Sequence, residues 1–228
     1  MSVALLTGDE KTYGLDEAID RLKESATASF DETAELSVNL GIKASQTSVR
    51  GTCSLPHGTG KAVRVLAFAK GEAQAEAEQA GADHVGGEDL AKRIQEGWLD
   101  FDKVVASPDM MSVVGKLGKI LGPRGLMPSP KSGTVTKDVG AVVGELKKGM
   151  VEFRADRHGV IHSVFGKTSF DKEALEENFK GLIRSIAEQR PEEGVKGRYI
   201  EKVTISATMG PGIVLNLAEV TAMAEEGS

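Results

Sequence analysis

The chain has 228 residues, 40% hydrophobic and 27% charged, which excludes wholesale disorder and suits one large domain or two small ones. A single cysteine, Cys53, excludes an internal disulfide framework and fits a reducing compartment. The formal net charge of −6 argues, taken alone, against a nucleic-acid partner. No apolar run reaches the ~18 residues of a membrane helix. Residues 1–7 carry a short apolar run with no basic residue before it, so no secretory signal is expected and the cytoplasm is the expected location.

Leu15, Ala18, Ile19 and Leu22 recur at helical spacing and predict a helix over about 15–27. Residues 35–40 alternate polar and apolar as a half-buried strand does, and residues 48–55 read as a second extended segment. A Pro/Gly loop follows at 56–60. From Val63 the texture changes. Strands are expected at 63–68, 84–85 and 103–106, with helices at 72–80, around Leu90 and Ile94, and after Pro108. Strands alternating with short helices indicate a largely parallel sheet. Strand texture returns at 151–154 and 160–165. Leu175, Phe179, Leu182, Ile183 and Ile186 mark an amphipathic helix with Ser169 as its N-cap and Pro191 as its stop. Extended runs near 199–207 and 213–217 precede a frayed tail at 218–228.

The expected fold class is therefore α/β. A discontinuous domain is expected from residues 1–62 and 157–228, with a wound α/β domain, 63–156, inserted in it. The two crossings, near 63 and 156, can act as a hinge. Charge follows a mosaic: net −6 over residues 1–40, +5 over 41–70, −7 over 71–112 and +5 over 113–150. Such a mosaic is either ordinary or a pair of positive patches.

Phosphate-loop chemistry fails on inspection. In the stretch Leu55-Pro-His-Gly-Thr-Gly-Lys61, Leu55 and Ala62 occupy positions where a Walker loop needs Gly and Ser or Thr, and Val63 replaces the last glycine of a dinucleotide fingerprint. The loop is either a tight connector or a backbone contact to a nucleic-acid phosphate, assisted by Lys61. The Gly/Pro-rich segment 121–133 carries Arg124 and Lys131, which can meet phosphate or ornament an ordinary surface loop. His158 and His162 lack a metal-ligand pattern, and no nucleophile elbow occurs, so no metal, cofactor or catalytic residue is expected. Ser206, Thr208, Met209 and Gly210 offer hydroxyls, an apolar face and a close backbone approach to a ribose, or simply a strand-connecting turn. Phe30 is more often a core anchor than a stacking platform.

Phe30-Asp-Glu-Thr33, Val49-Arg-Gly-Thr52, Ser54 to Lys61, Gly81-Ala-Asp83, Leu121 to Pro128 and Thr208-Met-Gly-Pro211 occur in one order. Together they resemble the bacterial ribosomal protein L-one family, the stalk proteins of the large subunit, over about residues 12–217. The resemblance implies a two-layer α+β RNA-binding domain from both termini, an inserted three-layer Rossmann-like α/β domain and no enzymatic activity. It implies large-subunit rRNA as partner, a mobile stalk beside the tRNA exit site, outward movement of deacylated tRNA, and repression of the protein's own messenger RNA. It also implies a monomer when free of the ribosome and no membrane partner. Motif matching carries over Phe30, Glu35, His162, Lys167, Ser206, Thr208, Met209 and Gly210 as the rRNA-facing set, with Lys61, Arg124 and Lys131 as secondary contacts. The competing classes are an α/β enzyme acting on a phosphorylated small molecule and a messenger repressor independent of the ribosome.

Three departures from the family pattern bear on affinity. Residues 1–10 carry no Lys or Arg, Ser29 stands where Lys is common, and the loop after Gly41 is short and weakly basic. Fewer phosphate contacts follow. Because log affinity falls with log salt at roughly −0.7 to −0.9 per contact, a salt series on an rRNA fragment should give a shallower slope here than for a relative with the basic extension. An equal or steeper slope contradicts this.

Overall fold

The computed structural model describes residues 11–42, 49–191 and 193–225, with the side chains of Lys131, Lys196 and Glu225 outside that description. The described elements in chain order begin with α1 (Leu15–Ser25), β1 (Thr33–Ile42), β2 (Arg50–Ser54), β3 (Val65–Phe68), α2 (Glu72–Gln79), β4 (His84–Gly86), α3 (Glu88–Gln95) and β5 (Lys103–Ala106). They continue with α4 (Met111–Val114), α5 (Gly118–Leu121), α6 (Val139–Lys148), β6 (Met150–Arg154), β7 (Val160–Lys167), α7 (Lys172–Glu188), β8 (Val195–Ala207), β9 (Ile213–Val214) and α8 (Leu217–Glu225). The chain divides into two compact units, residues 1–60 with 151–228, and residues 61–150. The second crossing falls at 150/151 rather than near 156, because β6 pairs with β2 and so belongs with the terminal segments.

In the first unit four strands form one antiparallel sheet, in the order β7, β1, β8, β9. Alternation along β1 decides its faces: Ala34, Leu36, Val38 and Leu40 are buried, and Thr33, Glu35, Ser37 and Asn39 point the other way. The buried row packs with Leu15, Ala18, Ile19 and Leu22 of α1, with Leu175, Phe179, Leu182, Ile183 and Ile186 of α7, and with Val220 of α8. Cys53 and Phe153, from the paired β2 and β6, join the same core. A bulge opposite Ala34 and Glu35 leaves Phe165 unpaired in the β1 register. Phe165 is fully buried, and its carbonyl accepts from Asn178 Nδ2 at 2.9 Å.

Two expectations at the ends of this unit fail. Ser169 does not cap α7. Asp171 occupies the N-cap position, and the Ser169 hydroxyl donates instead to Asp31 Oδ2 at 2.8 Å. The tail from 218 is not frayed as far as Glu225. Val220 is 1% exposed, and Leu217, Met223 and Ala224 pack against the core, so α8 gains its stability from burial of one face.

The second unit holds a parallel three-stranded sheet in the order β4, β3, β5. All four β3 residues are buried, Leu66 and Phe68 toward α3, α4 and α5, Val65 and Ala67 toward α2 and α6. Coverage of both faces is what a parallel sheet requires. The helix expected after Pro108 is broken into α4 and α5 by a 3-10 turn over Gly115–Leu117, since Gly115 and Gly118 weaken a continuous helix. α6 was not foreseen from sequence: Gly140 and Gly144 obscure its apolar row Val139, Val143 and Leu146. Gly140 has a packing reason, since a Cβ there would come within 3.2 Å of the Glu76 carbonyl oxygen on α2.

Two predictions follow from this packing. Asn178 is 0% exposed and closes the loop after β2, accepting from His57 N–H at 3.0 Å and donating to the Gly58 carbonyl at 2.9 Å. Asn178→Ala leaves those groups unpaired and should cost ~1–3 kcal/mol, read as a lower urea midpoint; an unchanged midpoint contradicts the anchoring role. In the second unit Asp102 accepts from Lys61 Nζ at 2.8 Å and from Arg64 N–H and Nε at 3.2 and 3.1 Å. The Lys61 hydrogen bond leads in lowering its pKa from 3.8 to about 2. Its contribution to stability is therefore complete above the unfolded value and lost as pH falls toward the folded one. Melting curves should show Asp102→Asn less stable than the parent at neutral pH and equal to it near the folded pKa; a gap that persists at that acidity contradicts the assignment.

Candidate nucleic-acid interface

The sheet face turned away from the α1 and α7 core is built mostly of polar side chains. Thr33, Glu35, Ser37 and Asn39 of β1 form its spine. On one flank the register sets Lys167 opposite Thr33, Val164 opposite Glu35, His162 opposite Ser37 and Val160 opposite Asn39. On the other it sets Ser206, Thr204 and Lys202 opposite Glu35, Ser37 and Asn39. Segments far apart in sequence thus meet on one plane because β1 pairs on both edges. Glu35 and His162 are exposed; Ser206 and Lys167 are half-buried.

Several of these groups are held in place by neighbours. Ser37 Oγ and His162 Nδ1 are 3.0 Å apart, which orients the ring and directs Nε2 away from that bond. Lys167 Nζ donates to the Asp31 carbonyl at 3.1 Å and to Thr33 Oγ1 at 3.0 Å, so two of its three hydrogens have protein acceptors. Thr208 Oγ1 accepts from Thr33 N–H at 2.9 Å, while its own contact to the Thr33 carbonyl is long, 3.5 Å. That hydroxyl hydrogen remains suited to a better acceptor.

At the Thr33 end of the face stand Phe30 and Met209, 54% and 71% exposed, the two large hydrophobic side chains exposed among the described residues. Phe30 is therefore not a core anchor. The turns carrying them are joined by Glu32, which is only 1% exposed. Its Oε1 accepts from Ala28 N–H at 3.0 Å and its Oε2 from Met209 N–H at 2.9 Å. These amide donors, Ala28 first, hold its carboxyl below the usual range despite burial. Asp31 secures the same loop from another side, accepting from Ser169 Oγ and N–H at 2.8 and 3.1 Å, and its pKa is lowered chiefly by the Ser169 hydroxyl. Gly210 has a reason of its own: a Cβ would lie 2.9 Å from Ser25 Oγ, so the turn needs glycine to close against α1.

All eight primary candidates thus lie in the first unit, four on the open face and four on the loop and turn at its end. Sequence reasoning passed over Thr33, Ser37, Asn39, Thr204 and Lys202, although the period-two alternation of β1 was their available signal. It took in Asp31 and Glu32 only as part of the matching stretch from Phe30 to Thr33 and gave them no role. The secondary candidates belong to the second unit. Lys61 is paired with Asp102, Arg124 is exposed on its glycine-rich loop, and Lys131, in a short 3-10 turn, has its side chain outside the described residues. The loop before Lys61 is pinned through Asn178, and His57 Nε2 lies 2.7 Å from Glu177 Oε2. Among the described residues no group of three or more His, Cys, Asp or Glu could hold a metal ion, and no helix is long and apolar enough to cross a membrane.

Comparison of the amino-acid sequence with known proteins points to one family. The sequence profile of the Ribosomal protein L1p/L10e family matches residues 22–211. The chain is 56% identical over 215 residues to the large ribosomal subunit protein uL1 of Fervidobacterium nodosum, covering 93% of this chain and 91% of that one. It is 55% identical over 222 residues to the proteins of the same name from Thermosipho melanesiensis and Thermosipho africanus, covering 96% of this chain and 95% of each. With a family profile spanning most of its length and relatives this similar across both units, the chain belongs to the ribosomal protein L1p/L10e family.

Proposed function

We propose that this protein is a constituent of the large ribosomal subunit in the cytoplasm and binds large-subunit rRNA through the open sheet face of its first unit. The observation that carries this reading is the assembly, on one face, of Glu35, His162, Lys167 and Ser206 with the exposed Phe30 and Met209 at its end. Large-subunit membership rests on the names of its relatives.

The chemistry of the face fits RNA better than it fits a duplex read by charge. Hydroxyls of Thr204, Ser206 and Thr208 can exchange hydrogen bonds with ribose 2′-hydroxyls, and Phe30 and Met209 can pack on sugars or unstacked bases. Glu35 accepts from sugar or base donors and makes no favourable contact with phosphate. Among the described residues Lys167 and Lys202 bring positive charge to the face, and shape and hydroxyl recognition carry the load.

By the same reading the bound protein forms the mobile stalk beside the tRNA exit site and helps release deacylated tRNA. Free of the ribosome it is a monomer whose same face binds a similar structure in its own operon messenger RNA and represses translation. Arg124, Lys131 and Lys61 are secondary RNA contacts from the second unit, with Lys61 first having to leave Asp102.

Thr208→Ala or Met209→Ala should each weaken binding to an rRNA fragment by ~1–3 kcal/mol, the usual cost of a lost hydrogen bond or lost apolar burial. Isothermal titration reads the affinity and circular dichroism checks the fold. Unchanged affinity in both folded variants would mean that this turn is only a strand connector.

A further inference from the structure

Glu32 poses a problem for an RNA-facing end. A carboxylate stands between two exposed apolar side chains where a polyanion is to dock, and it is buried, which costs free energy unless its charge is well satisfied. Simple electrostatics would remove it. The hydrogen bonds explain why it stays. Both oxygens act as acceptors for backbone N–H groups, Ala28 on one and Met209 on the other. Those two donors are 181 residues apart in the chain and belong to the two turns that present Phe30 and Met209.

We infer that Glu32 is a positioning residue for RNA docking: it sets the spacing between Phe30 and Met209 by gripping the backbone of both turns, and touches no RNA itself. This rests on the docking face proposed above. No other side chain of similar size can make the same grip. Glutamine has the reach, but one of its two terminal atoms is an NH₂ donor that would confront an N–H. Aspartate keeps the charge but is shorter by one carbon–carbon bond, about 1.5 Å, so it cannot meet both amides. The amide donors also oppose the carboxylate's charge, which limits its repulsion of a phosphate. Asp31, bound to Ser169 and Thr168, steadies the same loop from the β7–α7 turn, and Thr208 Oγ1 ties the β8–β9 turn to the Thr33 N–H at the start of β1, while Glu32 is the described side chain that joins the Ala28 amide to the Met209 amide.

The two readings of Glu32 predict opposite signs. If it mattered only as a negative charge, Glu32→Gln would bind rRNA more tightly and Glu32→Asp would behave as the parent. If it is the grip, both variants bind more weakly, roughly tenfold or more by the cost of unpaired buried donors. The slope of log affinity against log salt then stays unchanged, because no phosphate contact is removed.

The experiment measures affinity of the full chain for an rRNA fragment over a salt series, for the parent, Glu32→Gln, Glu32→Asp and Thr208→Ala. Amide hydrogen exchange at Ala28 and Met209 is measured in the same proteins without RNA. Expected are weaker binding at constant slope in both Glu32 variants, with faster exchange at those two amides and unchanged protection in α1 and α7. Tighter binding by Glu32→Gln, or parent affinity in both Glu32 variants while Thr208→Ala weakens binding, overturns the inference and leaves the docking face standing. A parent protein that does not bind overturns both. If one variant fails to fold the other decides the sign, and if neither folds, fast exchange at Ala28 and Met209 in the parent would itself overturn the grip.

Discussion

The structure of the first unit depends on β1 being a central strand with a single buried face. Its two edges are paired with β7 and β8, which come from the far end of the chain, and its side chains alternate without interruption from Thr33 to Leu40. A one-residue slip would send Leu36 and Val38 to solvent and Glu35 and Ser37 into the core. The apolar row therefore fixes the polar row as well. Burial against α1 and α7 is what holds Glu35, His162 and Ser206 side by side, although none of these contributes to the core.

The same constraint explains the ends of the face. Where β1 begins, two carboxylates, Asp31 and Glu32, tie its entering loop to the neighbouring turns. One grips the β7–α7 turn, the other the Met209 turn. Exposed apolar side chains on unsupported loops would lose entropy on binding. Here the loops are already fixed in the free protein, so less ordering remains to be opposed when a ligand docks.

Most of the fold was legible in the sequence because most of its elements are governed by one strong period. Alternation in β1 and the helical rows of α1 and α7 stood out, as did the α/β texture of the second unit. What was not legible depended on tertiary partners. α6 carries two glycines whose tolerance follows from its close approach to α2. Ser169 looked like a cap until Asp31, far upstream, claimed its hydroxyl. α8 looked like a tail because its apolar residues only make sense against Tyr199, Ile200 and the end of α7. The site divides likewise: motif resemblance pointed to residues that face outward, such as Met209, and passed over Glu32, which faces inward.

For an acidic chain, the proposed binding of a polyanion requires a locally suitable face, and the open face offers hydroxyls, an oriented imidazole, two lysines and, at its end, two apolar side chains. Nuclear magnetic resonance shift mapping of the full chain against a large-subunit rRNA fragment tests this most directly. The account predicts amide perturbations concentrated at Phe30 to Asn39, Val160 to Thr168 and Lys202 to Gly210, with the outer surfaces of α7 and α8 unaffected. Perturbations centred on α7 and α8, with the open face of β1 silent, would contradict it.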